Sequence, residues 1–242
     1  MSCSIRVLLT LRQDLKDADI PLPHQAFHLH KPATTKLALG WAVDCCPSLS
    51  VLLNQALKEW SVAIDALIQG QTVLLLRKGG IREVGKHFQV PYQQVWLYPT
   101  YEHQKPHLLK PAWADQIAPV NPGWHPTQVK LAAWANISHV WTVSTLEAVN
   151  ALLPFHIWNE QFVAERFHWK PSQPLHLLLL KVHRLTSPII LDWQSTYGGC
   201  RSWLILQRTL DTEPSTPVLD DTLFSQTVQN IQTQLGDITI SP

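Results

Sequence analysis

The stretch LLLRKGGIREVGKHFQVPYQQVWLYPTYEH, residues 74–103, decides the fold. It places a Gly-Gly turn and many ionisable side chains between two apolar runs that are typical of strands. We predict a buried strand at Thr72–Leu76 and a pair of strands at His87–Val90 and Gln94–Tyr98, which turn around Pro91. Polar side chains that follow strands collect at the rim of a sheet, so the same stretch predicts a site.

The segments on either side predict helices and further strands around this sheet. Upstream, we predict a helix that Asn54 caps at its start and Gly70 ends. Its apolar residues recur at helical spacing, at Leu57, Trp60, Ile64, Leu67 and Ile68. Downstream, we predict helices at 145–152, 159–167 and 222–235, and strands within 129–143, 174–185 and 201–207. The mixed order predicts an α+β fold, with a mixed, mainly antiparallel sheet or a partly open barrel and flanking helices.

Pattern changes along the chain predict its domain organisation. Residues 1–54 carry several Pro and no sustained period, so we expect an N-terminal extension that is weakly ordered or results from a mis-assigned start. Residues 55–210 form the α+β domain in this interpretation. Residues 211–242 form a linker followed by a C-terminal helix.

Composition narrows the classes of protein. A formal net charge of +1 over 242 residues argues against a uniformly basic surface for bulk nucleic-acid binding. A net charge near zero is still compatible with a local basic patch. The four Cys form no disulfide framework and no C-x-x-C pair, so we predict neither a metal nor a cofactor. No apolar run approaches the ~20 residues of a membrane span, which predicts a cytoplasmic protein without a membrane partner.

Four runs of the chain resemble successive blocks of the family called domain of unknown function 1802. They are ALKEWSVAIDALIQGQTVLLLRKGGIRE, VWLYPTYEHQKPHLLKP, FHIWNEQFVAERFHWKPSQPLHLLLLKVHRL and YGGCRSWLIL, in that order between about Gln55 and Leu206. The resemblance implies a cytoplasmic bacterial or cyanobacterial protein that works near DNA-processing or restriction functions. It supplies no catalytic residues to transfer.

Three groups of residues have the chemistry of nucleic-acid binding. Arg77, Lys78, Gly79 and Gly80 can bring cations and backbone N–H groups to one phosphate, or they can form an ordinary hairpin turn. Arg166, Trp169 and Lys170, with Arg201 farther along, combine phosphate-binding and base-stacking side chains. Tyr98 and Tyr101 follow a strand and can stack on a base, or they can form a structural corner fixed by Pro99.

Other residues would support catalysis. Glu83 and Glu102 are candidate acidic groups, and His103 is a candidate general base. A metal-assisted nuclease needs acidic residues and a Lys close to a strand. Here the spacing from Glu83 to Lys86 departs from the Glu-x-Lys of restriction-type nucleases, and solvated charges on a loop explain both residues better.

The sequence therefore leaves three functions open. The first is a nucleic-acid-binding or modified-base-reading module, in which Arg77 holds a phosphate and Tyr101 stacks on a base. Two reversals of the chain between these residues would bring both to the same edge of the sheet. The second is a metal-assisted nuclease or other hydrolase that uses Glu83, Glu102 and His103. The third is an interaction protein without a site. The sequence does not decide between enzyme and binder, and it gives no oligomeric state.

Overall fold

The structure is a computed structural model that describes residues 50–78, 89–121 and 123–236. Those residues form one seven-stranded sheet, in the order β2-β5-β4-β3-β1-β6, with β7 paired to β5. The strands are β1 (Leu52–Trp60), β2 (Leu74–Arg77), β3 (Gln94–Thr100), β4 (Gln128–Val143), β5 (Leu175–Asp192), β6 (Trp203–Asp211) and β7 (Ser215–Pro217). Only the β1–β3 pairing is parallel within this sheet. The predicted α+β fold with a mixed, mainly antiparallel sheet is confirmed, and the sheet is open.

Five α-helices accompany the sheet in the described ranges. They are α1 (Ser61–Ile68), α2 (Pro111–Ala114), α3 (Leu146–Ala151), α4 (Glu160–His168) and α5 (Asp221–Leu235). Side chains cap three of them: Thr145, Asn159 and Asp220 accept a hydrogen bond from the first turn of α3, α4 and α5. The predicted C-terminal helix is confirmed. Among these helices, none is long and apolar enough to cross a membrane.

The sheet separates two hydrophobic clusters, and β3 supplies both. Val95 and Leu97 belong to the cluster that also contains the buried residues of the helices, whereas Trp96 and Tyr98 belong to a second cluster built by strands and loops. This alternation follows from the two-residue period of a strand. Because both faces of β3 are covered, its sequence is a continuous apolar run.

The predicted helix between Asn54 and Gly70 is wrong in its first half. Residues Leu52–Trp60 form β1, hydrogen-bonded between β3 and β6, and α1 begins only at Ser61. Pairing on both edges outweighs the local helical spacing. Leu52–Asn54, which the sequence placed in the N-terminal extension, therefore belong to the sheet, while residues 1–49 lie outside the described residues.

The predicted hairpin around Pro91 is also wrong. Gln89 and Val90 are not in a strand, and His87 and Phe88 lie outside the described residues. β3 pairs instead with β1 and β4, so its partners are distant in sequence. The predicted hairpin rested on the residues next to Pro91 alone. β3 is instead buried on both faces, and this burial favours its pairing with the distant strands β1 and β4.

Two long strands bend the sheet. β4 has 16 residues and β5 has 18, and their pairing shifts register between Leu131 and Ala133 and between Ile137 and His139. Such irregularities bend a strand and increase its twist. The Arg77 side chain of β2 reaches the Lys58 carbonyl of β1, although three strands separate β2 from β1 in the sheet order.

Candidate functional site

A cavity of about 500 Å³ opens where β1 and β2 end. Helix α4 and the loops after β3 and before β6 form its other walls. We call it the basic cavity. The described residues that line it are Lys58, Glu59, Trp60, Leu76, Arg77, Lys78, Thr100, Glu102, His103, Lys105, Leu108, Trp158, Phe162, Glu165, Arg166, Trp169, Gly199, Cys200, Arg201 and Ser202.

Positive charge is concentrated in the basic cavity. Six of its lining residues are Lys or Arg and three are Glu, which leaves a local net charge of +3 with His103 taken as neutral. The whole chain carries only +1. The cavity is therefore a local basic patch in a chain whose total charge is close to zero. The electrostatic field of this patch favours an anionic ligand.

Arg77 is fixed by β1 but retains a free donor. Its Nη2 lies 2.9 Å from Oε2 of Glu59 and donates to the Lys58 carbonyl oxygen at 2.6 Å. The second Glu59 oxygen accepts a hydrogen bond from the Trp60 N–H at 2.7 Å, so the carboxylate is itself held in place. The Arg77 Nε is buried and has no hydrogen-bond partner among the described residues.

Arg166 lies on aromatic rings. Its guanidinium carbon is 4.9 Å from the Phe162 ring centroid and 6.0 Å from that of Trp169. Burial, together with the nearby charge of Arg77, lowers the pKa of Arg166. Within the described residues Arg166 forms no ion pair, so ring faces rather than a carboxylate hold this cation in the cavity.

Two lysines and a tryptophan add further donors to the cavity. The Lys58 ammonium donates to the carbonyl oxygens of Tyr197 at 2.8 Å and Gly199 at 3.1 Å, and burial lowers its pKa. The Lys78 ammonium donates to the Phe167 carbonyl. Trp158 is 2% exposed, and its indole Nε1 has no acceptor among the described residues. Buried donors without acceptors are rare and call for an explanation.

A second cavity, of about 340 Å³, adjoins the first. It shares Lys58, Thr100, Glu102 and Gly199 with the basic cavity. We call it the aromatic cavity. Its remaining lining residues in the described ranges are Tyr98, Pro99, Tyr101, Gly123, Trp124, His125, Pro126, Val129, Trp193 and Gly198.

The structure distributes the binding residues predicted from sequence between these cavities. Arg77, Lys78, Arg166, Trp169 and Arg201 line the basic cavity, and Tyr98 and Tyr101 line the aromatic cavity. Lys170 lies beside them, with its ammonium 4.6 Å from the centroid of the Trp169 ring. Gly79 and Gly80 lie outside the described residues.

Tyr98 is a core residue, and its expected role as a stacking platform is incorrect. Its ring is 2% exposed and packs edge-on against Tyr197 at a centroid distance of 5.6 Å. A ring covered in this way offers no face to a base. Its hydroxyl has no hydrogen-bond partner among the described residues, and burial raises its pKa, so the phenol stays neutral.

The candidate catalytic residues lie at the mouth of the basic cavity. Glu102 and His103 form a turn after β3, and His103 is exposed with a φ of 63°. Glu83 lies outside the described residues. Over the part of the chain that the structure describes, no three His, Cys, Asp or Glu side chains come together as metal ligands would.

Lys58, Trp60 and Trp158 are among the lining residues that the sequence did not select. Lys58 sits in what the sequence presented as a helix, Trp60 was assigned to the core alone, and Trp158 lies in an otherwise featureless run. Of these three, Lys58 carried a usable signal in the sequence, because it is a cation that directly follows the apolar pair Ala56-Leu57. Trp60 is half-buried and meets Phe162 edge-on at 6.0 Å.

Comparison with known proteins identifies the family. The model of the family described as "Domain of unknown function (DUF1802)" matches residues 56–230. The chain belongs to this family. None of the curated proteins matches it.

Two solved structures show a distant likeness to this DUF1802 chain. One is a mutant form of the ASCH protein of Zymomonas mobilis, with 14% identity, a TM-score of 0.36, and coverage of 64% of this chain and 88% of that one. The other is the ASCH protein of Zymomonas mobilis itself, with 13% identity, a TM-score of 0.36, and coverage of 72% and 92%.

Proposed function

We propose that this DUF1802 protein is a nucleic-acid-binding module that takes one nucleotide of a single strand into the basic cavity. The observation that supports this most is a pair of buried donors without acceptors among the described residues, Arg77 Nε and Trp158 Nε1, in a cavity where the Arg166 guanidinium has no carboxylate partner. A buried donor left without an acceptor costs about 1–3 kcal/mol. A ligand that brings several acceptor oxygens would recover that cost, and phosphate does so with the right charge.

The aromatic lining favours a nucleotide over a simple anion. Trp169 is 38% exposed at the cavity wall, and Trp60 is half-buried there. An exposed indole face can stack on any base, which contributes about 1–3 kcal/mol per base. The volume of about 500 Å³ lies within the range of small-molecule sites.

A single strand fits this cavity better than a duplex. A base inside a duplex is stacked on both faces, so it enters a protein cavity only after it is splayed or flipped out. In our account Arg77 and Arg166 hold the phosphate, and Trp169 stacks on the base. In the proposed complex Glu102, which lines the cavity, accepts a hydrogen bond from a base edge, and this contact would allow the module to distinguish a modified base.

The proposal is tested by measuring fluorescence anisotropy of a labelled single-stranded oligothymidylate and its RNA counterpart at several salt concentrations. We expect binding by the wild type that weakens between about 50 and about 200 mM salt. Arg166→Gln should weaken binding and reduce the salt slope by about one unit. Arg208→Gln is the matched control, because Arg208 is exposed on β6 and lies outside both cavities.

Two results would contradict the proposal. The first is the absence of binding to either strand at low salt. The second is an equal loss of affinity in Arg166→Gln and Arg208→Gln, because equal losses would show that binding depends on the overall charge of the protein rather than on the cavity. The metal-assisted nuclease that uses Glu83, Glu102 and His103 stays a prediction, and no observation on the described residues favours it.

A further inference from the structure

The aromatic cavity has the properties of a second ligand subsite. Trp124 is 43% exposed and meets Tyr101 edge-on, with ring centroids 5.9 Å apart and planes at 86°. Trp193 is stacked on His125 with centroids 3.4 Å apart, so one of its faces is covered. Tyr98, 2% exposed, lines the same cavity with a hydroxyl that has no partner among the described residues.

Lys58 connects the two cavities. It lines both of them, and its ammonium is fixed by the carbonyl oxygens of Tyr197 and Gly199. An ammonium has three N–H donors, so two carbonyl bonds leave one donor for another acceptor. A phosphate that passes from one cavity to the other would meet this donor.

We propose that the aromatic cavity binds the neighbouring nucleotide of the same strand, so that the protein recognises a two-nucleotide step with the bridging phosphate at Lys58. This inference rests on the proposed function of the basic cavity. The base stacks on the open face of Trp124, beside the edge of Tyr101. In this proposal the Tyr98 hydroxyl, which has no partner among the described residues, contacts the bound base.

The chemistry of the subsite matches a base better than a second phosphate. Its lining includes one cation, Lys58, which is shared, and one carboxylate, Glu102, so it lacks the positive charge of the basic cavity. Five of its fourteen described lining residues carry flat rings instead, and bases bind to such rings through stacking with little dependence on sequence.

Isothermal titration calorimetry with two probes tests the inference. The probes are thymidine 5′-monophosphate and the 5′-phosphorylated thymidine dinucleotide. We expect the wild type to bind the dinucleotide about 5- to 150-fold more tightly than the monophosphate, as one additional stacked base requires. Trp124→Ala should remove this gain and leave the affinity for the monophosphate unchanged.

Trp169→Ala serves as the crossed control. Because Trp169 lines the basic cavity, its loss should weaken both probes by the same factor and preserve the gain. Equal affinity of the wild type for the two probes, or a gain that survives in Trp124→Ala, would overturn the second subsite while leaving the first intact. Failure of the wild type to bind either probe would overturn both proposals.

Discussion

Arg77 and Glu59 form an ion pair of 2.9 Å between strands that are not neighbours in the sheet. Their side chains are 17% and 9% exposed, so the pair is largely shielded from water. It ties the end of β2 to the end of β1 at the place where the basic cavity opens. The same contact orients the guanidinium whose Nε has no acceptor.

Glu59→Gln should lower the free energy of unfolding by about 2 kcal/mol, between the values for exposed and fully buried pairs. The amide retains an oxygen for the Trp60 N–H but leaves the Arg77 charge uncompensated. Urea unfolding of Glu59→Gln, Arg77→Met and the double variant measures the coupling. Additive losses would show that the pair contributes nothing, and Glu102→Gln, which breaks no ion pair among the described residues, is the control.

Two tryptophans should respond differently to truncation. Trp96 is fully buried in β3, and its indole N–H donates to the Leu53 carbonyl at 3.1 Å, so Trp96→Ala should cost about 3–5 kcal/mol. Trp169→Ala should cost less than about 1 kcal/mol, because that side chain is 38% exposed. Chemical denaturation of both variants measures the two losses of unfolding free energy. Similar losses would contradict the difference in burial between Trp96 and Trp169.

Removal of N-terminal residues should lower the melting temperature only when it reaches β1. Val51 exchanges hydrogen bonds with Thr212, and the buried Leu53 accepts the Trp96 indole bond. A chain that begins at Ser50 should therefore melt within about 5 °C of the full chain, whereas one that begins at Gln55 should melt well below it. Comparable melting of the two shortened chains would show that the start of β1 contributes little.

His156 should make stability depend on pH. It is 2% exposed, and burial, aided by the Lys110 charge, lowers its pKa to about 3. The unfolded chain binds this proton at about pH 6.5, so the folded state loses stability as pH falls from there towards 3. The slope from this one group is at most about 1.4 kcal/mol per pH unit.

His156→Leu should remove that slope while other titrating groups, such as His183, remain common to both proteins. Urea unfolding of wild type and variant between pH 7.5 and 4.5 gives the difference directly. A constant difference across this range would show that the imidazole titrates alike in the folded and unfolded chains.

The sequence predicted the fold class and selected seven of the twenty described residues that line the basic cavity, because those features depend on local composition. Apolar runs marked β3 and β5, and the paired Arg77 and Lys78 stood out against an apolar strand. The same local signals failed for β1, where helical spacing coincided with a strand that is stabilised on both edges by distant partners. Pairing between distant segments is not encoded in a short window.

The composition of the site was predicted better than its geometry. Arg77 and Arg166 were both selected by residue type, but only the fold shows that the end of β2 and helix α4 bring them into one cavity. Trp158 had no local signal, because only the fold reveals that its N–H lacks an acceptor. Tyr98 was selected for its aromatic ring, and burial in the second cluster removes that ring from the surface.

The indole N–H signal of Trp158 reports most directly on whether the basic cavity holds the nucleic acid. A ¹H–¹⁵N spectrum of the wild type during titration with the single-stranded oligothymidylate, with the signal assigned by its loss in Trp158→Phe, makes this measurement. We predict that the Trp158 signal moves downfield in proportion to occupancy as its donor gains a phosphate or base acceptor. A Trp158 signal that stays unchanged at saturation would contradict binding in this cavity.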